Sequence, residues 1–230
     1  KGVTSTIDVP GVSNGRFETG VGYMTIIRGD RTVNSFPQAA TTTTIRDKGQ
    51  LVQGNYTGPS VPAGLFQVIG NPYASAVDFT RLNKTNLDDV YYLWDPQIGS
   101  LGGYVTFAGP SYIATSSLSY QSGNKQIESG QAFFVHSSGS AGSVEFVEPS
   151  KADGSNLVSR VMGNSKSLRT NLYATLDNQK RLFDGNLVEF DAVYSNEVDG
   201  KDAIKPVNSG ENLGLKRNGR ILSVERHAEI

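Results

Sequence analysis

Along most of the chain apolar and polar residues alternate with a period of two, as in YMTIIRG at Tyr23 to Gly29, TTTIRDKGQLVQGNYTG at Thr42 to Gly58 and GLFQVIGNPY at Gly64 to Tyr73. Successive side chains on a strand point to opposite faces, so this pattern predicts strands. It places them at Tyr23 to Arg28, Gln67 to Ile69, Gly103 to Phe107, Gln131 to His136 and Leu187 to Phe190. Further candidates start at Val90, Ser143, Ser167, Asn186 and Arg220, and Gly, Pro, Asn and Asp punctuate the runs as turn formers do. One segment differs: Ser75 to Asp89 carries Val77, Leu82 and Leu87 at a looser, helix-like spacing and predicts a turn or two of helix. The expected fold is therefore all-β, an antiparallel sandwich or jelly roll with at most one or two short helices. Pro149 to Ser155 reads as a linker. It divides the chain into a β-sandwich domain, 1–150, and a second β subdomain, 151–230, incomplete or packed as part of the same sandwich. No fixed-period repeat appears, which disfavours a solenoid or propeller.

Composition sharpens this picture. The chain has 230 residues, enough for one large β domain or two small ones, and its 26 glycines suit many short elements joined by turns. A formal net charge of −1 provides no positive field for a phosphate backbone, so nucleic acid is not an expected partner. With no cysteine there is no disulfide, thiolate nucleophile or Cys-based zinc site. No apolar run is long enough for a membrane helix, so no membrane insertion is expected. The N-terminal KGVTSTIDVP lacks a signal-peptide core, so an export signal would be one already removed or lying outside this sequence.

Six motifs then follow one another: Arg28 to Arg31 (RGDR), Thr43 to Arg46 (TTIR), Gly70 to Tyr73 (GNPY), Trp94 to Pro96 (WDP), Gly102 to Tyr104 (GGY) and Gly130 to Val135 (GQAFFV). A strand, an acidic loop and a D-A-x-K turn at Asp202 to Lys205 come after them. In order and spacing the series resembles the region preceding the C-terminal sorting domain in large surface proteins of Bacteroidetes that leave the cell by the type IX secretion system. The resemblance implies a secreted, outer-membrane-associated cell-surface β-sandwich. Its implied role is adhesive or structural, and its implied partners are other domains of the same polypeptide or surface proteins. Contact with the secretion machinery would run through a region not visible in this sequence. The sorting domain itself is not recognisable here, and the chain reads as a piece of something longer.

Catalytic signals are sparse. His136 and His227 accompany no nucleophile elbow, metal-binding helix or phosphate loop, and each is expected to lack a nucleophile and an orienting group. No catalytic residue and no organic cofactor is assigned. Calcium is the one ion that acidic loops would take, the candidates being Asp88, Asp89 and Asp95 around the WDP turn and Asp191, Asp199 and Asp202 in the later loop. None follows an EF-hand pattern, and turn formation explains them more simply. Tyr91, Tyr92, Trp94 and Tyr104 are the glycan candidates, since exposed rings stack on sugar faces. Alternation puts Tyr92 and Trp94 on one face and Tyr91 and Leu93 on the other, so one pair is expected in the core. Arg28-Gly29-Asp30 is read as a strand-to-turn junction in preference to an integrin ligand. The leading expectation is a non-enzymatic surface module. A carbohydrate-binding module is the first alternative, and a glycoside hydrolase with two cleft carboxylates the second.

Overall fold

The computed structural model describes residues 17–25, 49–115, 125–153, 166–176 and 178–228. Among these the chain forms sixteen strands: β1 (Tyr56–Thr57), β2 (Phe66–Gly70), β3 (Ala76–Asp78), β4 (Asn83–Thr85), β5 (Val90–Asp95), β6 (Gly103–Ala108), β7 (Ile113–Ala114), β8 (Gln126–Ile127), β9 (Ala132–His136), β10 (Ser143–Phe146), β11 (Lys151–Ala152), β12 (Lys166–Leu176), β13 (Gln179–Phe190), β14 (Ala203–Ile204), β15 (Leu215–Arg217) and β16 (Arg220–His227). The fold is all-β and sandwich-like. Two single 3₁₀ turns, Phe79–Arg81 and Glu148–Ser150, are its helical content among the described residues.

The helix-like spacing after Ser75 thus yields one turn between two strands. The Asp78 carboxylate accepts the Thr80 amide at 2.9 Å and starts the turn, while Leu82, already extended, ends it. The periodic residues Val77, in β3, and Leu82, at the end of the turn, are both buried in the main core, which imitates a helical stripe. The predicted strand at Tyr23 is absent over the described Tyr23, Met24 and Thr25, and its remainder lies outside the described residues. So do Arg28 to Asp30 and Thr43 to Arg46.

Four sheets assemble from these strands. A five-stranded sheet runs β2-β9-β5-β6-β7, a second runs β12-β13-β16-β14 with β15 beside β16, and two three-stranded sheets run β1-β10-β4 and β11-β3-β8. All ladders are antiparallel except β13 with β16. The main core lies between the first five-stranded sheet, through Ile69, Tyr91, Leu93, Val105, Phe107, Phe133 and Val135, and the small sheets, through Val77, Ile127, Val144 and Phe146. Each such side chain contributes about 1.5–3 kcal/mol by leaving water. Tyr91 stacks on Phe107 at 4.7 Å, and Phe79, Phe133 and Phe146 meet edge to face around them.

The opposite face of β5 and β6 is covered too. Val90, Tyr92 and Ala108 pack against Leu187, Ala203 and Val224 of the second five-stranded sheet. Val90 through Leu93 are consequently all buried, not one alternating pair. A strand covered on both sides reads as the continuous apolar run that VYYL is. Downstream of residue 150 the chain first returns to the earlier half, since Lys151 and Ala152 pair with Val77 and Ala76.

Candidate functional site

Two of the motifs, GNPY and D-A-x-K, prove to be scaffold. In GNPY, Asn71 is buried and its side-chain amide donates to the carbonyls of Ser75, Ile127 and Glu128, while its Oδ1 accepts the Tyr73 amide at 3.0 Å. Tyr73 is buried behind the turn and its hydroxyl donates to the Gly54 carbonyl at 2.7 Å. In D-A-x-K both charges are buried. Asp202 accepts the amides of Asp199 and Arg226, and Lys205 pairs with Asp184 at 2.7 Å with both side chains at most 3% exposed.

The layer between the five-stranded sheets is polar as well as apolar. Arg226 pairs with Glu189 at 2.7 Å, their side chains 1% and 0% exposed. Arg226 also donates to the carbonyls of Ala108 and Lys201, and Ser111 donates to Glu189 at 2.7 Å. Thr106 donates to Ser223 across the same layer at 2.9 Å. These contacts tie β13 and β16 to β6 and the turn after it.

Chemistry-bearing residues gather at the side of β5 and β9. His136 donates from Nδ1 to Asp88 Oδ2 at 2.7 Å, both residues are buried, and the imidazole lies 4.7 Å from the Phe66 ring. The expectation that His136 lacks an orienting group is therefore wrong. Leu87 bridges to Ser137 and the Asp88 amide donates to the His136 carbonyl, so the ladder brings the carboxylate to the ring, a proximity that 48 residues of separation hide. Among the described residues no hydroxyl bonds to His136. His227 donates from Nδ1 to the Ala228 carbonyl at 2.9 Å.

The acidic candidates do not converge: among the described residues no three His, Asp or Glu side chains could share a metal. Each is engaged locally instead. Asp89 takes the Tyr112 hydroxyl at 2.7 Å and Lys84 at 3.1 Å, Asp95 caps the Gln97 amide, Asp191 that of Val193 and Asp199 that of Lys201. Burial, followed by the bond to Asp89, holds the Tyr112 phenol far above its ordinary range.

Burial also raises the Asp202 carboxyl above its usual range, against the opposing pull of the Arg226 and Asp199 amides. A carboxyl raised in the fold binds its proton more tightly folded than unfolded. Its contribution is therefore fully present below the unfolded value of about 3.9 and is lost as pH rises through the folded value. Asp202→Asn should flatten this segment of the stability profile, measured as urea midpoints between about pH 3 and pH 6. An unchanged slope would refute the assignment.

Of the glycan candidates, Tyr91 and Tyr92 are 0% exposed and cannot form a platform, since each faces one of the two packed layers. The Tyr92 hydroxyl is spent on the Ile204 carbonyl at 2.8 Å. Trp94 and Tyr104 remain partly exposed and meet edge to face at 4.9 Å, and Tyr104 continues to Phe134 at 5.2 Å. The result is a row of rings, Trp94, Tyr104 and Phe134, across β5, β6 and β9.

The indole is seated on Gly102, whose φ is +87° and where a Cβ would lie 2.5 Å from the ring. Gly102→Ala should cost about 1–3 kcal/mol from the left-handed backbone, with added ring displacement. Denaturant titration followed by the fluorescence of the single tryptophan reads both effects. A variant with unchanged midpoint and emission would contradict the packing.

Comparisons with protein-family models, with curated proteins and with solved structures each find no match for this chain. The site must be judged on its own geometry.

Proposed function

We propose that this chain is a non-enzymatic module of a secreted bacterial surface protein, of the type IX secretion cargo kind, that spaces or presents neighbouring domains of the same polypeptide. The motif series supports the class. The observation that carries the non-enzymatic reading is the use to which the reactive side chains are put. Glu189, Arg226, Asp184 and Lys205 are buried in structural pairs, and the one oriented imidazole, His136 with Asp88, has no hydroxyl bonded to it among the described residues. A substrate panel of glycans, esters and peptides should show no turnover above a heat-denatured control. Turnover abolished by His136→Ala would overturn the reading.

Carbohydrate binding is the second reading, favoured by the partly exposed row Trp94, Tyr104 and Phe134. A ring stacked on a sugar is worth about 1 kcal/mol beyond its buried area, so Trp94→Ala should weaken any glycan retention several-fold to about tenfold. Glycan-array signal that is equal for wild type and Trp94→Ala would remove this row as the binding surface.

A further inference from the structure

The hairpin joining β15 to β16 turns on two residues. Arg217 pairs with Arg220 across it, so Asn218 and Gly219 make the whole loop. Both are left-handed, with φ of +45° and +77°. A loop of this length follows the twist of its strands when φ is positive at both positions, and Asn-Gly is the pair that meets the demand most readily.

The same requirement leaves two reactive atoms open to solvent. Gly219 has no side chain to shield its nitrogen, nothing lies within 4 Å of where a Cβ would stand, and its amide makes no hydrogen bond among the described residues. Asn218 is exposed, and its Nδ2 donates to the exposed Glu197 carboxylate at 3.3 Å. Comparable pairs are closed. Asn208, before Ser209, is 5% exposed and its Oδ1 accepts the Tyr104 amide at 2.8 Å. In Asp184-Gly185 the acid is 2% exposed and holds the glycine amide at 2.8 Å. The chain's other Asn-Gly, Asn14-Gly15, lies outside the described residues.

We propose that Asn218 is a site of spontaneous deamidation in the folded chain. Hydroxide takes the Gly219 amide proton and the nitrogen attacks Asn218 Cγ. The new N–Cγ bond replaces the Cγ–Nδ2 bond, and ammonia leaves with a proton from water. Water then opens the five-membered imide at either carbonyl, giving aspartate or the β-linked isoaspartate, so the net change is water taken up and ammonia released. The aspartate keeps the loop, since Asp-Gly also suits it, but sets a carboxylate against Glu197 where a donor stood. The isoaspartate breaks the loop: its extra backbone carbon lengthens a two-residue connection, and Arg217 no longer faces Arg220. The β15 strand then separates from β16.

Ageing the folded chain at neutral and mildly alkaline pH tests this, with peptide mapping that resolves residue 218 from residue 14 and aspartate from isoaspartate. Conversion at residue 218 should give both products, accelerate with hydroxide, and run within about tenfold of its rate in guanidinium chloride. Asn218→Gly, whose Gly-Gly pair still suits the loop, should show none at that position. Hydrogen exchange over Leu215 to Arg217 should be faster in the isoaspartate fraction and unchanged in Asn218→Asp. A residue 218 that converts in denaturant and stays an amide in the folded chain would overturn the inference, because the fold would then protect the pair. An isoaspartate fraction with unchanged exchange would overturn the separation of β15.

Discussion

Arg226→Met should be the most damaging single change in the second sheet, lowering the unfolding free energy by about 3–5 kcal/mol. The loss is not mainly that of the ion pair's own attraction. Removing the guanidinium leaves the Glu189 carboxylate, 0% exposed, with the Ser111 hydroxyl as its bonded partner, and it leaves the Ala108 carbonyl without the donor that links the two sheets. An uncompensated buried charge costs far more than a satisfied pair contributes. The double variant Arg226→Met with Glu189→Leu should accordingly be more stable than Arg226→Met alone, recovering about half of the loss or more by removing the stranded carboxylate. Urea unfolding of wild type, both single variants and the double variant tests this as a cycle. If Arg226→Met lay within about 0.5 kcal/mol of wild type, the pair would be a surface feature and the packing of β13 and β16 on β6 would be misassigned.

The strands that alternation predicts at Gln67, Gly103, Gln131 and Leu187 are present as β2, β6, β9 and part of β13. Period-two burial is a local property, and sequence carries it directly. Its limit shows at Val90 to Leu93, where a third layer covers the second face and alternation gives way to a continuous apolar run. The site was less legible. Asp88 and His136, Asp184 and Lys205, and Glu189 and Arg226 are separated by 48, 21 and 37 positions respectively, so nothing in the spacing marks them as partners. A charged residue in an isolated sequence is rightly read as solvated unless it is paired. The available signal was Glu189 within NLVEF, an acid set among apolar residues on a strand, and the acid and base three positions apart in D-A-x-K. For Asn71 the clue was its place before Pro72, but two of its three carbonyl partners, Ile127 and Glu128, lie in one distant segment. Trp94 stayed ambiguous because a ring packed on a glycine and a ring awaiting a sugar have the same sequence context.

Phe133→Ala should cost about 3–5 kcal/mol, the range for emptying a large aromatic site that cannot collapse. The ring is 0% exposed and lies between layers, meeting Phe79 of the 3₁₀ turn at 5.9 Å, Tyr91 of β5 at 6.4 Å and Phe146 of β10 at 6.3 Å. Those neighbours are rings on separate elements, each fixed by further aromatic contacts, so the cavity would persist. Its neighbour Phe134 points to the other face of β9, is partly exposed, and has Tyr104 beside it at 5.2 Å. Phe134→Ala removes the same atoms from a half-wet site and should cost about half as much or less, since part of that area never left water. The paired comparison isolates the packing of the sandwich from the hydrophobicity of the residue. Equal losses in the two variants, measured by denaturant midpoints with an unchanged m-value, would mean that both faces of β9 are core, and the row of rings beside Trp94 would then be part of the core and not a binding surface.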